Sequence, residues 1–210
     1  FGGGSPFSDF FSQIFGGVGG GAPRSSPGGF QYRVRPERGQ DYEQEVEIDL
    51  REAYEGTTRV LEKDGRRLQI KIPAGARSGT RVRMSGEGSP GAAGGESGDL
   101  YLRVKVKPDP QFERKDDDLH VTVPVDLYSA VLGGQVRVPT LGGPVMLTIP
   151  AGTQNGRVFR LTGKGMPKLR QKNQYGDLYV KVEVHLPTQL DAQQKELFEE
   201  LRRISHKEGN

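Results

Sequence analysis

Three histidines, a lysine set among glycines and a run of aspartates are the residues of this chain best suited to chemistry, and their spacing argues against it each time. His120, His185 and His206 are scattered, with no HxxxH or HxxEH pattern to close a metal site, and read as surface histidines. Gly156 and Gly163-Lys164-Gly165 have the look of a phosphate loop. Six residues separate the first two glycines, however, and Lys164 is followed by glycine, so a phosphate-binding lysine loop is rejected. Asp116, Asp117 and Asp118 could attract a cation, but no spaced set of further ligands follows, and they read as part of a solvated connector. The chain has no cysteine, hence no disulfide, no thiolate zinc site and no thiol nucleophile. Carboxylates are plentiful, yet nothing pairs two of them in an enclosed site. The expectation is a protein that is no enzyme and needs neither cofactor nor metal.

The elements carrying these residues occur twice. IKIPAGARSGTRVRMSGEG at residues 70–88 returns as LTIPAGTQNGRVFRLTGKG at residues 147–165, with eight of nineteen positions identical, against roughly one by chance. The offset of seventy-seven holds upstream, where IDLREAYEG matches VDLYSAVLG, and becomes seventy-eight where GDLYLRVKVKP matches GDLYVKVEVHLP. Such a period is too long for a solenoid unit and suits a small domain. Within each copy apolar residues alternate with polar ones: Val46, Ile48 and Leu50; Leu68, Ile70 and Ile72; Val82 and Met84; Leu100, Leu102, Val104 and Val106; then Val121, Val123 and Val125; Leu147 and Ile149; Phe159 and Leu161; Leu178, Val180, Val182 and Val184. Period-two alternation predicts half-buried strands. Pro73 and Pro150 end strands, and Asp64-Gly65 and Gly142-Gly143 mark hairpin tips. The predicted fold is mainly β: two tandem, similar β-sandwich or partial-barrel domains, residues 41–110 and 111–187, joined by a short hinge within KPDPQFERKDDD at 107–118.

Two further segments flank the domains. Residues 1–40 form a flexible Gly/Phe-rich linker; the first thirty positions alone hold ten of the 31 glycines and six of the nine phenylalanines. Phe7, Phe10, Phe11, Ile14 and Phe15 fall at helical spacing, so this linker is either a short helix that forms when its Phe face docks or a spacer with incidental phenylalanines. At the other end, residues 188–210, Asp191 and Gln194 make a capping box ahead of the stripe Leu197, Phe198, Leu201 and Ile204. This amphipathic helix must bury its stripe on its own domain or on a second copy of the chain. Phe1 is not an initiator methionine, and an upstream piece is expected to be missing. No apolar run reaches the ~18 residues of a membrane span, no signal peptide is evident, and cytoplasmic residence is the simplest reading.

What a thin β-domain can offer is an edge: unpaired N–H and C=O groups beside an apolar trough accept an extended peptide as an added strand. Two or three side-chain pockets, each worth ~1.5–3 kcal/mol before ordering costs, give affinity on the order of micromolar. Linked and dimeric copies would raise retention by avidity.

On these residues the chain resembles the C-terminal part of a DnaJ-type J-domain protein of the zinc-free, CbpA-like class. FSDFFSQIFGG resembles that family's Gly/Phe-rich region, the two PAGxxG loops and two GDLY strands its tandem C-terminal domains, and LDAQQKELFEEL its dimerisation helix. Zinc-bearing members insert CxxCxGxG repeats in the first domain; here Leu61 runs through LEKDGRRL to Leu68 with none. The His-Pro-Asp motif of the J-domain is absent from this sequence. The resemblance implies a homodimeric co-chaperone that binds unfolded or hydrophobic polypeptides and delivers them to a DnaK-type ATPase, stimulation of which belongs to a J-domain. It implies a client groove at Val46, Ile48, Leu61 and Leu102, with Tyr54 and Met84 as neighbours, Ile48 and Met84 being equally readable as core. It also gives the Phe-rich helix a regulatory role in the uncut protein, and the dimer contact to Leu197, Phe198, Leu201 and Ile204.

A second reading is nucleic-acid binding. Net charge +3 is a weak bias, but with a pI near 9.1, the faces carrying Arg81, Arg83, Arg103, Lys105 and Lys107 could bind DNA non-specifically, a secondary activity that the CbpA-like resemblance includes. A dimeric spacer without either activity is the third.

Overall fold

The computed structural model describes residues 35–63 and 65–207, with side chains through Ser205. The Phe7, Phe10, Phe11, Ile14 and Phe15 stripe, Asp64 and the side chain of His206 lie outside the described residues. From Pro36 onward the chain forms one unit, and within it the sequence repeat reappears as a structural one.

In the first copy β1 (Tyr42–Ile48) leads into a one-and-a-half-turn helix α1 (Leu50–Glu55), then a hairpin of β2 (Thr57–Lys63) and β3 (Arg66–Ile72), then β4 (Arg81–Met84) and β5 (Leu100–Val106). Strands β1, β5 and β4 form one sheet in that order, with β1 parallel to β5 and Val46 opposite Val104. The β2–β3 hairpin is a separate two-stranded sheet with Leu61 opposite Leu68. After the connector strand β6 (Glu113–Lys115), the second copy repeats the order as β7 (Asp118–Asp126), α2 (Leu127–Leu132), β8 (Gly134–Val138), β9 (Val145–Ile149), β10 (Val158–Leu161) and β11 (Leu178–His185). Its sheet runs β10-β11-β7-β6, with β7 parallel to β11, and β8–β9 is its detached hairpin. A parallel pair needs a long crossover; in each copy that crossover is the helix, the hairpin and the fourth strand together.

Two expectations change. Leu50 is not the end of a strand but the first residue of α1: the Asp49 amide donates to Glu52 Oε2 at 2.9 Å, closing a helix start that Gly56 stops. At α2 the reciprocal bond caps the helix: the Asp126 side chain accepts from Ser129 N at 2.9 Å. Nor is the segment at 107–118 a free hinge. Phe112 is buried, β6 pairs with β7, and the Arg114 guanidinium donates to the Ala76 carbonyl at 2.7 Å and the Gly75 carbonyl at 3.2 Å. The main hydrophobic cluster is continuous across the copies, joining Ile48, Leu50, Ile72 and Val104 to Leu119, Val121, Val138 and Met166.

The repeated Gly-Asp of GDLY has a structural cause. A β-carbon on Gly98 would sit 2.1 Å from the Gln40 carbonyl oxygen, and one on Gly176 2.0 Å from that of Asp117, so only glycine fits where this turn crosses the strand entry. The aspartate that follows is nearly enclosed. Asp99 accepts from the Gly86 amide at 2.9 Å and from Arg83 Nε at 2.9 Å, while its own amide donates to Asp41 Oδ1 at 2.7 Å. Asp177 repeats this with Gly163 at 2.8 Å, Arg160 Nε at 2.6 Å and Asp118 Oδ1 at 2.7 Å. These backbone bonds and the arginines hold both carboxyls below the usual carboxylate range against the opposing effect of burial. Each node ties the last long strand of its copy to the turn after the fourth strand.

Candidate functional site

Besides the outer sides of β3 and β4, two strand edges in the first copy carry no ladder partner: the side of β1 away from β5 and the side of β2 away from β3. Both strands pack on one buried cluster. Ile70, Leu100 and Leu102 form its floor, while Val46 from β1, Leu61 from β2 and Val82 and Met84 from β4 stand half-buried around it. The trough is pinned at both ends. At one, Lys63 Nζ lies 5.6 Å from the centre of the Tyr42 ring and donates to the Gly88 carbonyl at 2.9 Å and to the Glu87 carbonyl. At the other, Arg59 Nη2 bonds Glu52 Oε2 of α1 at 2.6 Å. The start of β1 thus faces the end of β2, and the two strands run in opposite senses without bonding each other.

Of the six residues expected in a groove, Val46, Leu61 and Met84 stand half-buried against this one cluster. Leu102 is the floor, at 0% exposure, and no partner reaches it without displacing the rim. Ile48, also 0% exposed, belongs to the main core instead. Tyr54 lies at the junction of the copies: its ring is 6.3 Å from that of Tyr175, and a β-carbon on Gly142 would fall 2.8 Å from its hydroxyl. Burial pushes the Tyr54 hydroxyl above its ordinary pKa, the Tyr175 and Glu55 charges adding to the effect. Val82, which the residue-by-residue reading left out, shares the rim; it stands two positions before Met84 on the same strand face, and that alternation was the available signal.

The second copy does not offer an equivalent trough. At the offset of seventy-seven Val46 becomes Val123, 4% exposed, and Leu61 becomes Val138, 0% exposed, so the positions that form a rim in the first copy are interior in the second.

The C-terminal stripe is on the surface. Helix α3 (Ala192–Lys207) starts at the expected capping box, with Gln194 N donating to Asp191 Oδ1 at 2.7 Å and Asp191 N to Gln194 Oε1 at 3.1 Å. Phe198 packs its ring 6.3 Å from that of Tyr128 on α2, but Leu197, Leu201 and Ile204 are at least half exposed. Leu190 and Leu186 extend this apolar surface toward β11.

The basic strand faces are occupied. Arg103 Nε lies 2.8 Å from Glu43, Lys105 Nζ 2.8 Å from Glu47 and Lys107 Nζ 3.8 Å from Asp49, so the outward carboxylates of β1 and the turn after it answer the cations of β5. The Lys105 hydrogen bond holds the Glu47 carboxyl below its usual range and raises Lys105 in turn. Arg83 is committed to Asp99, and Arg81 stacks 4.5 Å over the Tyr101 ring. His120 stacks on Tyr179 at 5.0 Å and is half-buried rather than a plain surface histidine, while His185 is exposed and 3.8 Å from Glu183. Among the described residues no three His, Asp or Glu side chains cluster as metal ligands, and no helix is long and apolar enough to cross a membrane.

Paired sheets in tandem, each with a parallel strand pair and a detached hairpin, define the architecture, and comparison with known proteins gives its class: residues 42–187 match the family described as DnaJ C terminal domain, and the chain belongs to that family. Similar proteins are of two kinds. The chain is 38% identical to a curved DNA-binding protein of Coxiella burnetii over 209 residues, covering 93% of this chain and 64% of that protein. It is 46% identical to the chaperone protein DnaJ of Bartonella quintana, with 73% of this chain and 40% of that one covered, and 48% identical to DnaJ of Brucella anthropi, with 69% and 38% covered. The chain therefore spans less than two thirds of the length of these relatives.

Proposed function

We propose that this chain is the client-holding part of a cytoplasmic co-chaperone: it captures extended apolar segments of non-native polypeptides, keeps them from aggregating and releases them to a DnaK-type ATPase. The reading assigns no catalysis to it. One observation carries the proposal: two unpaired strand edges, β1 and β2, flank a single apolar trough whose rim residues Val46, Leu61, Val82 and Met84 are neither interior nor free. An extended client adds a strand to such an edge through sequence-blind backbone bonds, and its alternate side chains drop onto the rim. Because Val123 and Val138 are interior, client capture is assigned to residues 41–110, and residues 111–187 are assigned to relay and support. Residues 188–210 are assigned to a homodimer in which Leu197, Leu201 and Ile204 leave water; two grooves on one dimer retain a client that each alone releases quickly.

Nucleic-acid binding through the β5 and β4 faces is the weaker reading, since Arg103, Lys105, Lys107 and Arg83 already face carboxylates. Anisotropy of a labelled, permanently unfolded client tests the first reading. Val46→Asp should weaken binding by roughly tenfold or more at unchanged far-ultraviolet dichroism, and a folded Val46→Asp that binds like the parent rejects the groove.

A further inference from the structure

Where the two copies meet, two tyrosines face each other. Tyr54, near the end of α1, and Tyr175, at the base of the loop after β10, hold their rings 6.3 Å apart between centres and tilted by 41°. Both are fixed from behind. Helix α1 is capped at Asp49 and stopped at Gly56, and a side chain at Gly142 would crowd the Tyr54 hydroxyl, its β-carbon falling 2.8 Å away. Tyr175 bridges Pro167, and on either side of it Lys168 N donates to the Gln174 carbonyl at 2.8 Å and Gly176 N to the Met166 carbonyl at 2.9 Å. Tyr54 is half-buried while Tyr175 is 43% exposed, so a reagent in solution reaches Tyr175 directly. Among the other described tyrosines, Tyr42 lies against Lys63, Tyr101 beneath Arg81, Tyr128 beside Phe198 and Tyr179 on His120. Only Tyr54 and Tyr175, of those described, have each other as ring neighbour.

Composition favours oxidation at such a pair. The chain has no cysteine and no tryptophan, the two side chains that most readily take an oxidising equivalent in place of tyrosine. A one-electron oxidant removes an electron and the phenolic proton from each ring, the two ortho carbons join, and the hydrogens on those carbons pass to oxygen as both phenols re-form. With hydrogen peroxide as the electron acceptor, two tyrosines and one peroxide give one carbon–carbon bond and two waters. Bonded rings sit closer than 6.3 Å, and the closing shift is small. Exposed side chains change rotamer within picoseconds to nanoseconds, far faster than a tyrosyl radical decays. The tilt of 41° already lies near the twist that a bond between two aryl rings prefers. We infer that Tyr54 and Tyr175 are an oxidative modification site, at which a peroxide-driven dityrosine bond staples the first copy to the second. The inference does not rest on client capture, whose trough is built on other residues.

Treatment of the full chain with a haem peroxidase and hydrogen peroxide, at a dilution where collisions between molecules are rare, tests it. The parent should gain dityrosine fluorescence and lose the mass of two hydrogens while still running as one chain on a denaturing gel, and peptide mapping should join Tyr54 to Tyr175. Y54F and Y175F should each abolish that link, with circular dichroism checking that both keep the parent fold, and Y179F should retain it. Parent chain unfolded in urea, where the rings are no longer neighbours, should lose most of it. A folded parent that forms no link between Tyr54 and Tyr175, that joins only separate chains or other tyrosines, or that forms the link equally well when unfolded, overturns the inference.

Discussion

Replacing Leu61 and replacing Leu102 should produce opposite signatures, although both residues pack in the same apolar cluster. Leu102 is the floor, with no exposed surface; Leu102→Ala leaves a cavity among Ile70, Leu100 and the rim, at a cost of about 2–5 kcal/mol. For a unit of this size that lowers the melting temperature by roughly 5–15 °C. Client affinity of the fraction that stays folded should change little, because the client touches the rim. Leucine to aspartate at 102, an apparent groove test from the family resemblance, would bury a charge and unfold the protein. Leu61 stands half-buried on β2, so Leu61→Asp can turn its carboxylate to water, with a stability loss of about 1 kcal/mol. The client loses its contact and meets a charge beside its apolar side chain, a change of ~1.5–3 kcal/mol or roughly ten- to a hundredfold in affinity. Thermal melts followed by dichroism and anisotropy with one unfolded client decide the matter. A Leu61→Asp protein that is folded and binds normally, or a Leu102→Ala protein that is as stable as the parent, refutes this division of the cluster.

Three other perturbations follow from the same contacts. If the proposed homodimer forms, Leu197→Asp with Leu201→Asp should convert it to monomers in light scattering, without changing intrinsic groove affinity but with faster client release; a variant of unchanged mass removes the dimer assignment. The carboxyls of Asp99 and Asp177 sit below their unfolded values, so they stabilise the fold above the unfolded carboxylate pKa near 3.9, and that contribution is lost as pH falls through the lower folded values. Asp99→Asn should therefore destabilise at neutral pH and show a shallower acid limb in denaturant titrations, and an acid limb identical to the parent's counts against the node. Arg114→Ala, which strips the Gly75 and Ala76 carbonyls of their donor, should cost about 1–3 kcal/mol and open residues 107–112 to proteolysis; an uncut connector would show that Phe112 and β6 hold it alone.

Much of the architecture was legible because period-two alternation names the strands and which side of each is apolar. The tandem repeat and the Asp191–Gln194 capping box were legible for the same local reason. Depth was not. Val46, Ile48 and Leu102 read alike in sequence, yet only Val46 is left half-buried, because depth depends on what packs over each position: Ile48, two residues further along the same strand, is covered by the main core shared with the second copy, and Leu102 lies on the central strand β5, and such packing is long-range. Tyr54 was misplaced since the junction of the copies is invisible to a reading that treats them as separate. The connector read as a hinge from its proline and charge, while Phe112 and Arg114, the residues that fix it, look ordinary in isolation. The Asp99 and Asp177 nodes could have been found: Asp41, Arg83, Gly86 and Asp99 recur as Asp118, Arg160, Gly163 and Asp177 at offsets of seventy-seven and seventy-eight.

Amide hydrogen exchange with and without a saturating unfolded client tests the groove most directly. Protection should rise along one or both of β1, Tyr42–Ile48, and β2, Thr57–Lys63, as an added strand takes up their free N–H groups, and should leave β8, Gly134–Val138, unchanged. Protection confined to the second copy, or none on β1 and β2 at full occupancy, would contradict it.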